Sequence, residues 1–272
     1  GDRGQGVYHT GKASGGEGTV MQHIVSYSGG LGSFMTAYKV IEEFGADDVT
    51  LLFTDTKEED EDLYRFLEET SKHFGVPVTT IADGRDVWEV FNDVSFMGNN
   101  RIDPCSRILK RELARKWMEE HHKPEECILY FGIGWDEIHR MDAIKNNWEP
   151  YTTSSPLVDN PTEKKEILAT LEGIGIAPPR LYALGFAHNN CGGFCIKTGQ
   201  GQFIKLLQAF PERYKRHEEE QEKLFAKIGP HGFIRITIDK KKHYFSLRQF
   251  RRYVEGGGQI DMFDIGGCGC FV

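Results

Sequence analysis

Two sets of residues in this 272-residue chain have types and spacings that could do chemistry. The first is Ser28-Gly29-Gly30-Leu31-Gly32-Ser33, directly after the apolar run HIVSY. Glycines let the backbone turn so that its N–H groups converge, and a helix starting there adds unpaired N–H groups and a positive dipole end. The product is an anion nest flanked by two hydroxyls, Ser28 and Ser33. The segment lacks the GK[ST] of a Walker loop and is not the G-x-G-x-x-G dinucleotide fingerprint. The plainer alternative is a glycine-rich turn that binds nothing.

The second set is six cysteines, too sparse for a disulfide framework and unevenly placed. Cys105 opens a helical stretch, and Cys191 and Cys195 flank Gly192-Gly193, which lets the loop fold back so that both thiolates face one centre. Cys268 and Cys270 lie in a glycine-rich tail, where a mobile thiol could exchange a persulfide or disulfide. Cys127 sits inside an apolar run and reads as core. Cys105, Cys191 and Cys195 are open to three readings: an iron–sulfur cluster, a zinc site completed by His188 or a tail cysteine, and ordinary reduced thiols.

The elements that must position these residues alternate. Apolar runs at 23–27, 49–54, 76–81 and 127–133 read as buried parallel strands, with helical stretches at 32–44, 58–74 and 104–121 between them. This rhythm predicts an α/β fold with a doubly wound parallel sheet and ligands at the carboxyl ends of its strands. After Trp148 the pattern changes: a short helix near 162–171, the cysteine loop, a long helix over 202–227 that Pro211 divides or kinks, and a strand at 233–238. Residues 1–20 read as a leader or expression remnant, 21–150 as the nucleotide-binding domain, 151–255 as a cysteine-loop and helical extension, and 256–272 as a flexible tail.

The chain has 33 Lys and Arg against 41 Asp and Glu, a net charge of −8, which excludes a globally basic nucleic-acid coat. No apolar run is long enough to span a bilayer, and no secretory signal is evident, so a cytoplasmic location is expected. One local reversal stands out: Lys240, Lys241, Lys242, Arg248, Arg251 and Arg252 alternate with aromatics. It reads either as an amphipathic helix with a solvated basic face or as a surface for RNA or single-stranded DNA.

Ser-Gly-Gly-x-x-Ser after the first strand resembles the PP-loop of ATP pyrophosphatases and of the phosphoadenosine phosphosulfate (PAPS) reductase family, within the adenine nucleotide alpha hydrolase-like superfamily. That resemblance implies a HUP-type fold and places pyrophosphate or phosphosulfate against Ser28, Gly29, Gly30, Gly32 and Ser33. Gly32 stands where the family has Asp. Phe53-Thr54-Asp55-Thr56 is similar to the family's Asp-Thr, placing Asp55 and Thr56 near a ribose or Mg²⁺. Gly132-Ile133-Gly134-Trp135-Asp136-Glu137-Ile138-His139-Arg140 resembles its Gly-Ile-Arg segment; Glu137 and Arg140 carry over, while the family's first Arg is Gly134. Lys110 or Arg107 could replace that cation. Trp135 is either a base-stacking residue or a core or lid residue. The acidic run 58–62 is read first as stabilising a helix N-terminus.

The cysteines are similar in layout to those of iron–sulfur adenylylsulfate (APS) reductases. Cys105 stands for the first of a cysteine pair, Ser106 for the second, Lys110 for the following lysine, and Cys191-x-x-x-Cys195 for Cys-x-x-Cys. Three thiolates imply a [4Fe–4S] cluster with one open iron, with Zn²⁺ as the alternative. The tail Cys268-Gly269 resembles the reactive Cys-Gly of sulfonucleotide reductases. The resemblance therefore implies an ATP-binding, Mg²⁺-dependent enzyme that adenylates a nucleobase or small molecule, releases pyrophosphate and transfers sulfur. Two alternatives are a PAPS or APS reductase, in which Cys268 or Cys270 attacks sulfur, and a non-catalytic nucleotide-binding regulator or defence component. Implied partners are an adenine nucleotide and a sulfur donor or thioredoxin-like reductant.

Overall fold

The computed structural model describes residues 20–99 and 101–267. The leader expected over 1–20 falls outside them except for Val20, and Cys268 and Cys270 lie outside them altogether.

Five strands form one parallel sheet: β1 (Gln22–Ser26), β2 (Val49–Asp55), β3 (Val78–Ala82), β4 (Cys127–Tyr130) and β5 (Thr152–Ser154). Their order is β3-β2-β1-β4-β5, and every pairing is parallel. The chain first winds one way from β1 and then returns to its other side at β4. A crevice therefore opens beyond the ends of β1 and β4, the switch point at which such sheets bind ligands.

Both sheet faces are covered, which accounts for the continuous apolar runs. Helices α1 (Leu31–Phe44) and α2 (Glu61–Phe74) close one face over Val25, Tyr27, Leu51 and Phe53. The helices Leu113–His121 and Met141–Trp148 close the other over Ile24, Leu52 and Leu129. Cys127 is buried there, and burial pushes its thiol pKa up to about 11, so it is an inert core residue.

Helix α2 begins at Glu61, three residues later than the acidic run suggests. Asp60 is its N-cap, accepting from the Asp62 N–H. Only the second half of the run serves the helix end. Glu58 and Asp60 are turned into the protein and buried.

The third cluster joins Val87, Trp88, Val90 and Phe91 to the C-terminal region. Phe210-Pro211 separates the helices Gln200–Ala209 and Pro211–Ile228, as a proline at a helix start should. Strands β6 (Ile234–Ile238) and β7 (Lys241–Phe245) then form an antiparallel hairpin, followed by the helix Leu247–Glu255. The basic stretch is thus divided between a strand and a helix, in place of one amphipathic helix. Arg248 and Arg251 both bind Glu218, at 3.1 and 2.8 Å.

Candidate active site

The PP-loop segment leaves β1 and enters α1 with Gly29 at φ +72°, a left-handed conformation that suits glycine. Gly30 is the N-cap and supplies no side-chain cap, and the first turn holds no acidic residue. The Leu31 N–H donates to the Tyr182 hydroxyl at 3.3 Å. Ser28 Oγ donates to Ser33 Oγ at 3.2 Å, and Ser33 Oγ to the Gly30 carbonyl at 3.0 Å. The loop is thereby held in a compact turn at a helix N-terminus, the chemistry of an anion site.

This loop forms one wall of a cleft of about 630 Å³. Gly134, Trp135, Glu137 and Arg140 form a second wall, and Thr162, Glu163 and Lys164 a third. Tyr182, His188, Asn189 and Asn190 complete it. Trp135 is 60% exposed, so its indole is available to a ligand and is not core. Arg140 donates to Glu137 at 2.5 Å. Burial lowers the pKa of His188; Glu137 opposes that shift, and Arg140 and Lys164 reinforce it. At neutral pH His188 is therefore an uncharged imidazole among cations.

Asp55 takes no part in this cleft. Its carboxylate accepts from the Tyr64 hydroxyl at 2.9 Å and the Lys57 N–H at 2.8 Å, which hold it at the start of α2. Both of these bonds are accepted by the same oxygen, Oδ1. Thr56 belongs to the neighbouring recess instead.

That recess brings together the three cysteines singled out by spacing. Cys105, Cys191 and Cys195 line it with Thr56, Asp103, Lys110 and Lys197. Two local features produce the convergence. A π-helix over Arg107–Glu112 follows Cys105; its five-residue hydrogen-bond spacing brings Cys105 and Lys110 toward one face, where an ideal α-helix would splay them. In the loop, Cys191, Gly192 and Gly193 have φ of +48°, +58° and +89°, and this left-handed run folds the chain back.

Glu59 ties the recess together. It accepts from the Cys191 N–H at 2.7 Å and Thr56 Oγ1 at 3.0 Å, and it lies 3.5 Å from Lys110 Nζ. Lys110 is only 5% exposed and lines both the recess and the cleft. Asp60 anchors the same loop indirectly through Arg213, which also donates to the Gly192 carbonyl at 2.7 Å. Burial acts to raise the Asp60 pKa, but hydrogen bonds from Arg180 and Arg213 outweigh it and hold the carboxyl below its ordinary range.

The donor set suits a sulfur-ligated iron cluster: three cysteine sulfurs face an apolar space with two lysines to offset negative charge. A cubane gives each thiolate its own iron. Among the described residues no three His, Cys, Asp or Glu side chains are grouped closely enough to hold a metal ion. The recess as described has an open volume of only about 20 Å³.

The described tail returns to this neighbourhood. Gly266 pairs with Thr198, and the Gly267 N–H donates to the Lys197 carbonyl at 3.3 Å. The Asp264 carbonyl accepts from the Gly201 N–H at 2.8 Å. Residues 264–267 are therefore pinned against the start of the helix Gln200–Ala209.

Sequence reasoning did not single out Glu59, Lys164, Tyr182 or Asn189 as site residues. Only Asn189 carried a local signal, its place in His188-Asn189-Asn190 just before Cys191.

The described chain is an α/β fold with a five-stranded parallel sheet and a cleft at its switch point. Residues 22–132 match the family model of the phosphoadenosine phosphosulfate reductase domain. It is 25% identical over 232 residues to an uncharacterized protein of Methanocaldococcus jannaschii, covering 81% of this chain and 46% of that protein. The chain thus spans about half the length of that relative. Among solved structures, a phosphoadenylyl-sulfate reductase from Candida auris in a phosphate complex matches with a TM-score of 0.40 and 12% identity. That match covers 62% of this chain and 79% of the other.

Proposed function

We propose that this protein is a PP-loop enzyme of sulfur metabolism that activates an acceptor with ATP and transfers sulfur to it. The observation that carries this reading is Lys110, whose side chain borders both the anion cleft and the three-cysteine recess. Phosphate chemistry and thiol chemistry thus share one residue.

In this reading the PP-loop N–H groups and the Ser28 and Ser33 hydroxyls hold the β- and γ-phosphates. Lys110 and Arg140 offset charge that develops as an acceptor oxygen attacks the α-phosphorus. The new P–O bond forms as the bond to pyrophosphate breaks, and Mg²⁺ accompanies the leaving group. Trp135 stacks on a planar part of the nucleotide or acceptor. Sulfur at the sulfide level then forms a C–S bond to the activated carbon as its C–O bond breaks and AMP leaves with the acceptor oxygen; Cys105, Cys191 and Cys195 would hold the cluster whose open iron supplies that sulfur. Glu59 fixes the Cys191 backbone and Lys110 relative to each other. The acceptor is a nucleobase or small molecule.

One observation favours a second reading, sulfonucleotide reduction. The hydrogen bond from Gly267 to Lys197 ends the described chain beside the recess, one residue before Cys268. In this reading a tail thiolate attacks the sulfur of PAPS or APS, the S–O bond breaks to release the nucleotide, and an external dithiol frees sulfite.

Anaerobic assays with reconstituted protein separate the two. Pyrophosphate release that depends on an acceptor supports sulfur transfer. Thiol-dependent sulfite release from PAPS or APS would replace it as the principal activity.

A further inference from the structure

Asn189 is 2% exposed and forms part of the cleft wall. Its Nδ2 donates to the Gly29 carbonyl of the PP-loop at 3.3 Å. A carbonyl requires a donor, so this bond settles which end of the amide meets the loop. Oδ1 is then the opposite end, and it is shut off from solvent with no hydrogen-bond partner among the described residues. A buried acceptor left in this state is destabilising, and native proteins ordinarily resolve it with a donor from a ligand or an ordered water.

Phosphate oxygens cannot be that donor, because they are acceptors themselves. On an adenine nucleotide seated in the loop, the neutral donors nearest the phosphate chain are the ribose hydroxyls; the amino group of the base lies farther away. We infer that Asn189 is a nucleotide-positioning residue whose Oδ1 accepts a hydrogen bond from a ribose hydroxyl. The inference rests on the PP-loop cleft being the nucleotide site. It makes the protein selective for ribonucleotides in which that hydroxyl is free, since a phosphate there would oppose one acceptor with another. Asn189 also stands two residues before Cys191, so the same short segment touches the PP-loop and carries a recess thiol.

The test is a set of binding titrations with ATP, 2′-deoxy-ATP, 3′-deoxy-ATP and inorganic pyrophosphate, on the unaltered protein and on Asn189→Leu and Asn189→Ala. The unaltered protein should bind one of the two deoxynucleotides about tenfold more weakly than ATP, the loss expected for one neutral hydrogen bond to a buried group. Both variants should bind ATP about tenfold more weakly and cease to distinguish it from that deoxynucleotide. Equal binding of ATP and both deoxynucleotides by the unaltered protein overturns the inference without requiring any variant to fold. So do undiminished discrimination in the variants and an effect seen only when Mg²⁺ is present. Failure of the unaltered protein to bind pyrophosphate overturns the nucleotide-site reading beneath it, an outcome distinct from the others.

Discussion

A β-carbon on Gly32 would stand 2.7 Å from the carbonyl oxygen of Gly132, and one on Gly132 would stand 2.5 Å from the Ser33 nitrogen. The start of α1 and the residues after β4 therefore meet backbone to backbone across the sheet's switch point. This contact leaves no room for a side chain where related PP-loops carry Asp. Gly32→Ala should cost about 1–3 kcal/mol in urea denaturation, the range for overpacking a rigid contact. Gly32→Asp should weaken pyrophosphate binding in calorimetry, although it restores the more usual residue.

Glu59 and Lys110 are a buried ion pair with partners on both sides of the site. Glu59→Gln preserves an acceptor for the Cys191 N–H but removes the carboxylate charge that lies 3.5 Å from Lys110 Nζ. A loss of about 3 kcal/mol in stability is expected, and Glu59→Gln combined with Lys110→Met should recover part of it. Urea denaturation of the two singles and the double checks this.

Lys110 should matter to turnover beyond its effect on stability. Lys110→Met is expected to lower the rate of acceptor-dependent pyrophosphate release by about 10²-fold, as loss of one preorganised electrostatic group does. Lys110→Arg should restore little, because the larger planar guanidinium cannot replace a compact ammonium in so narrow a space. Single-turnover assays with saturating ATP separate this from weaker binding.

Stability should depend on pH through His217. The ring is fully buried, stacks on Phe194 at 3.8 Å, and accepts from Trp88 Nε1 through Nδ1 at 2.9 Å. Burial, then Arg216 and Arg213, hold its pKa well below the ordinary 6.5. The unfolded chain takes up a proton below pH 6.5 that the folded chain refuses, so stability is level above that pH and falls as pH drops through it. Asp62 and Glu218, held below their ordinary range by Arg65 and by Arg251 respectively, add a further loss at more acidic pH. Urea midpoints between pH 7.5 and 5.0 should show the first decline. His217→Phe should reduce that slope even though it lowers overall stability.

The features legible in the sequence were those written in short spans. The strand–helix rhythm predicted the parallel sheet, and the Ser28 to Ser33 turn stood out because its glycines and its strand lie side by side. Cys105, Cys191 and Cys195, grouped by the resemblance to iron–sulfur APS reductases, line one recess although Cys105 comes from a different part of the chain. What escaped depends on partners or on small departures from regular geometry. Tyr64 of the next helix, which donates a hydrogen bond to the Asp55 carboxylate, is one such partner. The π-helix that turns Lys110 toward Cys105 has no simple local code.

The basic stretch was misread because Asp239 and Lys240, at φ of +49° and +62°, form the tight turn of a hairpin. Ser246 and Gln249 then start a separate helix with a capping box. Two of the arginines that seemed available to a polyanion are spent on the buried Glu218.

The central claim is that Cys105, Cys191 and Cys195 hold a cluster at the border of a nucleotide cleft. Iron and acid-labile sulfide analysis of anaerobically prepared protein tests it most directly. About three to four irons per chain with a matching amount of sulfide are predicted, falling sharply in Cys105→Ala, Cys191→Ala and Cys195→Ala. Stoichiometric zinc without sulfide, or an iron content unaffected by those three substitutions, would contradict it.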